Sequence, residues 1–214
     1  MDFLTKTMDE TSRIRIEARA ECWGDEDVPW PVVGGCNFFV RLDGAIAAAE
    51  IGSVMMMMMP PGSDEPAGRS ARGLLRAFLE ADGLILPGGL FFLEKGEPRF
   101  QPGCCCGLED WRDWFGVAEG ATDIWTGHDP FSLVELDGET VKIWGDRERR
   151  NEDPPFEISV TNLLEQLAVV ERDLRDFLGR LGEWLQTVAP ELEIPVLRRV
   201  AEALELDARP PIIE

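Results

Sequence analysis

Histidine is almost missing from this sequence, since His128 is the only one in 214 residues. Any mechanism that needs two imidazoles is therefore excluded. The usual catalytic motifs are missing too: there is no phosphate-binding G-x-x-x-x-G-K with Ser or Thr, no G-x-G-x-x-G after a strand, no H-E-x-x-H and no G-x-S-x-G. His128 precedes Asp129, but a single histidine in a turn is more often a structural hydrogen-bonding residue. We predict no catalytic residue.

Basic residues are also scarce. The chain has 21 Lys and Arg against 41 Asp and Glu, which gives a formal net charge of −20. Because nucleic-acid binding depends largely on neutralising phosphates with Lys and Arg, we expect no nucleic-acid partner. An excess of acids is typical of a solvated surface that keeps a protein soluble. It also suits a protein that binds and blocks a basic protein partner such as a toxin.

Long apolar runs are absent, because no stretch reaches the roughly 18 residues of a membrane span. The first ten residues contain acids and no apolar core of a secretory signal, so we expect a cytoplasmic protein with no membrane partner. Five cysteines, three of them adjacent, lack the spacing of a disulfide framework and favour reduced thiols. We expect a single domain over residues 1–214, with mobile tails at 1–12 and 208–214.

The first half of the chain carries signals of both strands and helices. Alternation and β-branched or aromatic content predict strands over residues 13–20, 36–42 and 84–93. Residues 45–59 are almost wholly apolar and end in five methionines, which predicts a buried strand, with a thioether copper site as the alternative. Residues 69–80 place apolar side chains on one helical face, and residues 108–115 predict a short helix.

The second half predicts a hairpin followed by a long helix. Residues 131–136 and 140–144 flank Asp137 and Gly138, a strong hairpin signal, and residues 156–160 add a strand. Apolar residues then recur at alternating spacings of four and three over 162–188, which predicts an amphipathic helix capped by Asn162. Residues 196–206 predict a last helix. We expect an α+β fold in which this long helix and shorter helices pack on a mainly antiparallel sheet, the alternative being a homodimer seam.

The most unusual feature is three adjacent cysteines, Cys104, Cys105 and Cys106, between two glycines. In an extended segment Cys104 and Cys106 point the same way, and with His128 they are the candidate metal ligands. A reactive thiol is the second possibility, although nearby acids oppose a low thiol pKa. We favour packing, because free cysteine is among the most buried residue types, and therefore expect no metal and no cofactor.

Acids beside tryptophans are the candidate partner-binding residues, because aromatic anchors with a charged rim are typical of protein interfaces. The alternative is that the tryptophans are core residues and the acids only solvate the surface. The candidates are Asp25, Glu26 and Asp27 beside Trp23 and Trp30, and Glu109, Asp110 and Asp113 beside Trp111 and Trp114.

The cysteine segment resembles a group of bacterial hypothetical proteins that carry a PGCCCGLEDW signature, found here at residues 102–111. The similarity extends over about 84–188 and implies a bacterial origin but no particular activity. The order of hairpin, strand and acidic amphipathic helix is also similar to SMI1/KNR4-like (SUKH) immunity proteins. We therefore expect a non-catalytic, immunity-like interaction protein. The alternative is a small thiol- or metal-dependent enzyme, or a metal-binding protein, centred on the three cysteines and His128.

Overall fold

Two antiparallel sheets and five α-helices make up the computed structural model, which describes residues 14–24, 28–35, 37–60 and 70–206. The α+β class predicted from the sequence is confirmed, and the strands divide between two sheets. The first sheet has the order β2-β1-β3-β4, formed by β1 (Ile14–Cys22), β2 (Phe38–Arg41), β3 (Gly88–Glu94) and β4 (Glu97–Phe100). The second has the order β5-β6-β7, formed by β5 (Leu133–Asp137), β6 (Thr140–Trp144) and β7 (Phe156–Ser159).

The helices cover the sheets and each other. No helix in the described part of the chain is long and apolar enough to cross a membrane. The predicted tails at 1–12 and 208–214 lie outside the described residues, as do Arg13 and Cys36. The helices are α1 (Ala48–Met57), α2 (Ala71–Glu80), α3 (Asp113–Ala118), α4 (Val160–Val188) and α5 (Glu193–Ala203), with short 3-10 turns at Leu108–Asp110 and Pro190–Leu192.

The prediction of a buried strand over residues 45–59 is wrong, because this segment forms helix α1. Glu50 accepts a hydrogen bond from the Ala47 backbone N–H at 2.7 Å and so holds the first turn. Alanine and methionine also favour helices over strands. Buried side chains at Ile51, Met55 and Met58 follow the helical period, so this part of the methionine run fills the core.

The predicted long C-terminal helix is confirmed, but it begins earlier than the sequence predicts. Helix α4 begins at Val160, two residues before the predicted cap, because the Ser159 hydroxyl accepts a hydrogen bond from the Asn162 N–H at 3.2 Å. Asn162 therefore lies inside the helix. The apolar stripe is buried within the single chain against β1, α5 and other elements, so it is core and not a dimer seam. Its fully covered members are Leu163, Leu167, Val170, Leu174, Phe177 and Leu181.

Smaller differences occur at turns. The hairpin β5–β6 is confirmed, although its two-residue loop is Gly138-Glu139 rather than Asp137-Gly138. The predicted helix over 108–115 is divided into a 3-10 turn and α3, and the last helix begins at Glu193, before the predicted 196. Strand β4 is not predicted from the sequence; it contains Pro98 and lies at the edge of the sheet, where proline is tolerated.

Candidate functional site

The cysteine segment is held by a backbone bridge to the chain around His128. The Cys104 N–H donates to the His128 carbonyl at 2.9 Å, and the His128 N–H donates to the Cys104 carbonyl at 3.0 Å. Two glycines allow this close approach. A Cβ on Gly103 would lie 2.6 Å from the His128 carbonyl oxygen, and one on Gly127 would lie 2.5 Å from the Gly103 oxygen. The sequence thus brings together residues that are 24 positions apart.

The backbone turns sharply at Cys105, which has a φ of 61°, a left-handed value. The extended segment assumed from the sequence is therefore interrupted. Instead of Cys104 and Cys106, the thiols of Cys104 and Cys105 meet the imidazole of His128, and their possible ligand atoms all lie within 4.8 Å of one another. The Cys104 Sγ and the His128 Nδ1 are 3.0 Å apart. Cys106 is not part of this group.

The packing interpretation is wrong for two of the three cysteines, because Cys104 and Cys105 are exposed. Cys106 is half-buried, and burial, followed by the charges of Asp110 and Glu109, raises the pKa of its thiol to about 12. Cys106 is therefore the member of the trio that packs. Local desolvation, then the neighbouring Cys105 and Asp129, also raise the pKa of Cys104, which opposes thiolate formation.

Two exposed aromatic rings lie beside His128. The ring centroids of Trp125 and Phe131 are each 5.9 Å from that of the imidazole and 6.4 Å from one another. Trp125 is 42% exposed and Phe131 is 52% exposed. The Trp125 indole N–H donates to the Cys105 carbonyl at 2.9 Å, which fixes an exposed ring to the cysteine turn. Neighbouring exposed rings of this kind form an apolar patch, which is typical of a binding surface.

Further exposed apolar side chains line two cavities that include Cys104. Two adjacent cavities of about 490 and 620 Å³ share Glu21 and Cys104 in their walls. Of the six large hydrophobic side chains that are exposed in the described residues, only Ile194 lies elsewhere. The other five line these cavities or contact His128, and we call them the corner surface: Trp23, Phe39, Ile85, Trp125 and Phe131.

Three of the four tryptophans predicted from the sequence as partner anchors are core residues, whereas Trp23 is 43% exposed. Trp30 is 6% exposed, packs edge-on against Trp184 at 5.3 Å and donates from its indole N–H to the Gly52 carbonyl. Trp111 and Trp114 are also buried. The acids Asp25, Glu26 and Asp27 lie outside the described residues. Sequence composition alone does not distinguish these rings from those of the corner surface.

The second group of predicted acids has mixed roles. The Glu109 carboxylate accepts a hydrogen bond from the Leu86 N–H at 3.3 Å, and burial raises its pKa. Asp113 is exposed, although partial desolvation and the nearby charges of Asp110 and Glu205 raise its pKa. Glu109 therefore has a structural role, whereas Asp113 is accessible to a partner.

Comparisons of this chain with protein-family models, with curated proteins and with solved structures found no match. We call Cys104, Cys105 and Cys106 together with His128 the cysteine corner. Its function must therefore be inferred from its own geometry and charge.

Proposed function

We propose that this protein is a non-catalytic interaction protein that binds a basic protein partner on the corner surface. One observation carries the proposal: five of the six exposed large hydrophobic side chains in the described residues line two cavities that share Cys104, or contact His128, which is hydrogen-bonded to Cys104. Single exposed apolar residues are ordinary, but a cluster of them is typical of a binding site.

The composition of this surface suits a protein interface. Trp23, Trp125 and Phe131 provide rigid aromatic rings, the kind of side chain that contributes most to binding at interface centres. Carboxylates accompany them, since Glu21 lines both cavities and Asp129 lines one of them. With a net charge of −20, the chain attracts basic partners and repels its own copies.

Catalysis by the thiols has less support from the same geometry. The raised pKa of Cys104 opposes thiolate formation, even though the His128 Nδ1 lies 3.0 Å from the Cys104 Sγ, within reach of a base. An immunity-like role, in which the partner is a basic toxin in the bacterial cytoplasm, is the form of the function that the sequence resemblance favours.

Affinity capture from the native host tests the proposal with a matched set of variants. Immobilised wild type and Ile194→Ala should recover the same basic protein at low salt, because Ile194 is exposed outside the corner surface. Trp125→Ala/Phe131→Ala should lose it. Recovery should fall as salt rises, since exposed charges are screened over about 8 Å at physiological ionic strength. Equal recovery by all variants, or no specific partner, would contradict the proposal.

A charge variant separates the acidic contribution from the apolar one. Asp129→Asn should weaken capture at low salt more than at high salt, because it removes a carboxylate beside the aromatic rings. Asp113→Asn provides the comparison for the acids predicted from the sequence. If only Asp113→Asn weakens capture, the partner binds at α3 rather than on the corner surface.

A further inference from the structure

Two thiols and one imidazole converge at the centre of the corner surface, and neither packing nor the proposed partner accounts for them. Their possible ligand atoms lie within 4.8 Å of one another, and this is the one such group among the residues that the structure describes. Cys104 and Cys105 are exposed, so burial does not explain why two cysteines stand here. A site for a metal ion does explain it, since thiolate and imidazole are ligands of the same ions.

We propose that Cys104, Cys105 and His128 bind a thiophilic d10 metal ion, Zn²⁺ or Cu⁺. Sulfur and imidazole ligands select these ions over Mg²⁺ and Ca²⁺, which prefer oxygen. Three protein ligands leave a coordination position open, as in zinc sites that exchange a water or substrate, whereas structural zinc sites have four protein ligands. A further oxygen, Oδ2 of Asp129, lies 3.5 Å from the His128 Nδ1.

The scaffold holds the ligands close to the geometry that such an ion needs. Bonds of about 2.3 Å to sulfur and about 2.0 Å to nitrogen at a tetrahedral angle separate the two ligand atoms by about 3.5 Å. The Cys104 Sγ and His128 Nδ1 are 3.0 Å apart. A small side-chain rotation is enough, because Cys104 is exposed and its backbone is already bonded to His128.

The backbone of the third ligand is also fixed. Cys105 has a left-handed φ of 61°, and its carbonyl accepts the indole N–H of Trp125 at 2.9 Å. This turn brings Cys105 rather than Cys106 to the imidazole. Cys106 is half-buried and outside the group, which makes it the matched control.

The inference does not depend on the proposed partner, because the test uses the isolated protein. Reduced, metal-free full-length chain is titrated with Zn²⁺ against a chromophoric chelator and, in a separate arm without oxygen, with Cu⁺ against a Cu⁺-specific chelator. Wild type and Cys106→Ser should each bind one ion of at least one kind with submicromolar affinity. Cys104→Ser, Cys105→Ser and His128→Ala should each bind at least tenfold more weakly.

Co²⁺ gives a second readout, because thiolate ligands produce an intense charge-transfer band and tetrahedral geometry produces strong visible bands. Wild type and Cys106→Ser should show both features, and Cys104→Ser and Cys105→Ser should lose charge-transfer intensity. Circular dichroism of each variant shows that the fold is intact. The proposal is overturned if wild type binds neither Zn²⁺ nor Cu⁺ stoichiometrically, or if Cys106→Ser weakens binding as much as Cys104→Ser.

Discussion

Helix α4 and the cysteine corner each contain or contact a tryptophan, but the two tryptophans have opposite roles. On α4, Trp184 packs edge-on against Trp30 with a centroid separation of 5.3 Å, and both rings are buried. At the corner, Trp125 is 42% exposed, and its indole N–H is bonded to the backbone of Cys105. The first arrangement removes apolar area from water, which stabilises the fold. The second leaves apolar area in water, which stabilises the fold little and leaves a surface that can bind.

The largest effect is expected in the middle of α4. Leu174 and Phe177 are fully buried, so Leu174→Asp or Phe177→Asp places a carboxylate where nothing compensates its loss of water. The cost of several kcal/mol is comparable to the whole stability of a typical domain, about 5–15 kcal/mol. We expect either variant to be unfolded, as measured by circular dichroism and urea denaturation.

Arg172→Asp is the control for these changes, since Arg172 is exposed on the same helix. It should unfold near the wild-type midpoint. If Leu174→Asp and Phe177→Asp melted like wild type and only changed the mass measured by light scattering, the stripe would be an interface between chains. Helix α4 would then not form a core within one chain, and its contrast with the exposed cysteine corner would not hold.

Replacing a buried and an exposed tryptophan by alanine compares how much each contributes to the stability of the fold. Trp184→Ala should cost about 3–5 kcal/mol, because it empties a large buried site beside Trp30. Trp125→Ala should cost about 1 kcal/mol or less, since it removes one exposed hydrogen bond and little buried area. Urea denaturation of the two variants checks this. Similar losses of stability would show that Trp125 is a structural residue.

The difference between segments with one apolar face and segments that are apolar throughout explains which helices the sequence could predict. The sequence predicts helix α4 because its apolar residues recur with the helical period along 29 residues. The remaining face is polar and exposed, a pattern that a strand does not show. The sequence predicts a strand instead of helix α1 because residues 45–59 are almost wholly apolar, and residues 51–56 are indeed all buried. When every side of a segment is apolar, periodicity no longer distinguishes helix from strand, and length with helix-favouring methionine is the better guide.

The corner was only partly predictable. Adjacent cysteines and the single histidine marked the region, but their spacing along the chain did not show that Cys105, rather than Cys106, lies beside His128. That choice depends on the left-handed backbone at Cys105, a conformation that cysteine rarely adopts and that no local motif indicates. Burial of Trp30 and exposure of Trp125 likewise result from long-range packing.

The smallest expected effect concerns Glu109, whose carboxylate links the 3-10 turn after the cysteines to Leu86. Burial raises its pKa above the ordinary 4.5, so the folded protein holds this proton more tightly than the unfolded chain does. Its contribution to stability is therefore complete below pH 4.5 and is lost as pH rises through the raised pKa. At neutral pH the ionised, partly desolvated carboxylate makes the folded state less stable.

Glu109→Gln should consequently be more stable than wild type at pH 7, because the neutral amide oxygen still accepts the Leu86 N–H without an ionised group. Since the carboxyl is only half-buried, we expect a gain of about 0.5 kcal/mol or less, which is about 1–2 °C in Tm. The difference between the two proteins should shrink towards zero below pH 4.5. Glu148→Gln, in the exposed loop after β6, is the control. If Glu109→Gln were less stable than wild type at pH 7, the charge of Glu109 would itself stabilise the turn. The cysteine corner would then be stabilised by the charge of Glu109 as well as by the backbone bridge between Cys104 and His128.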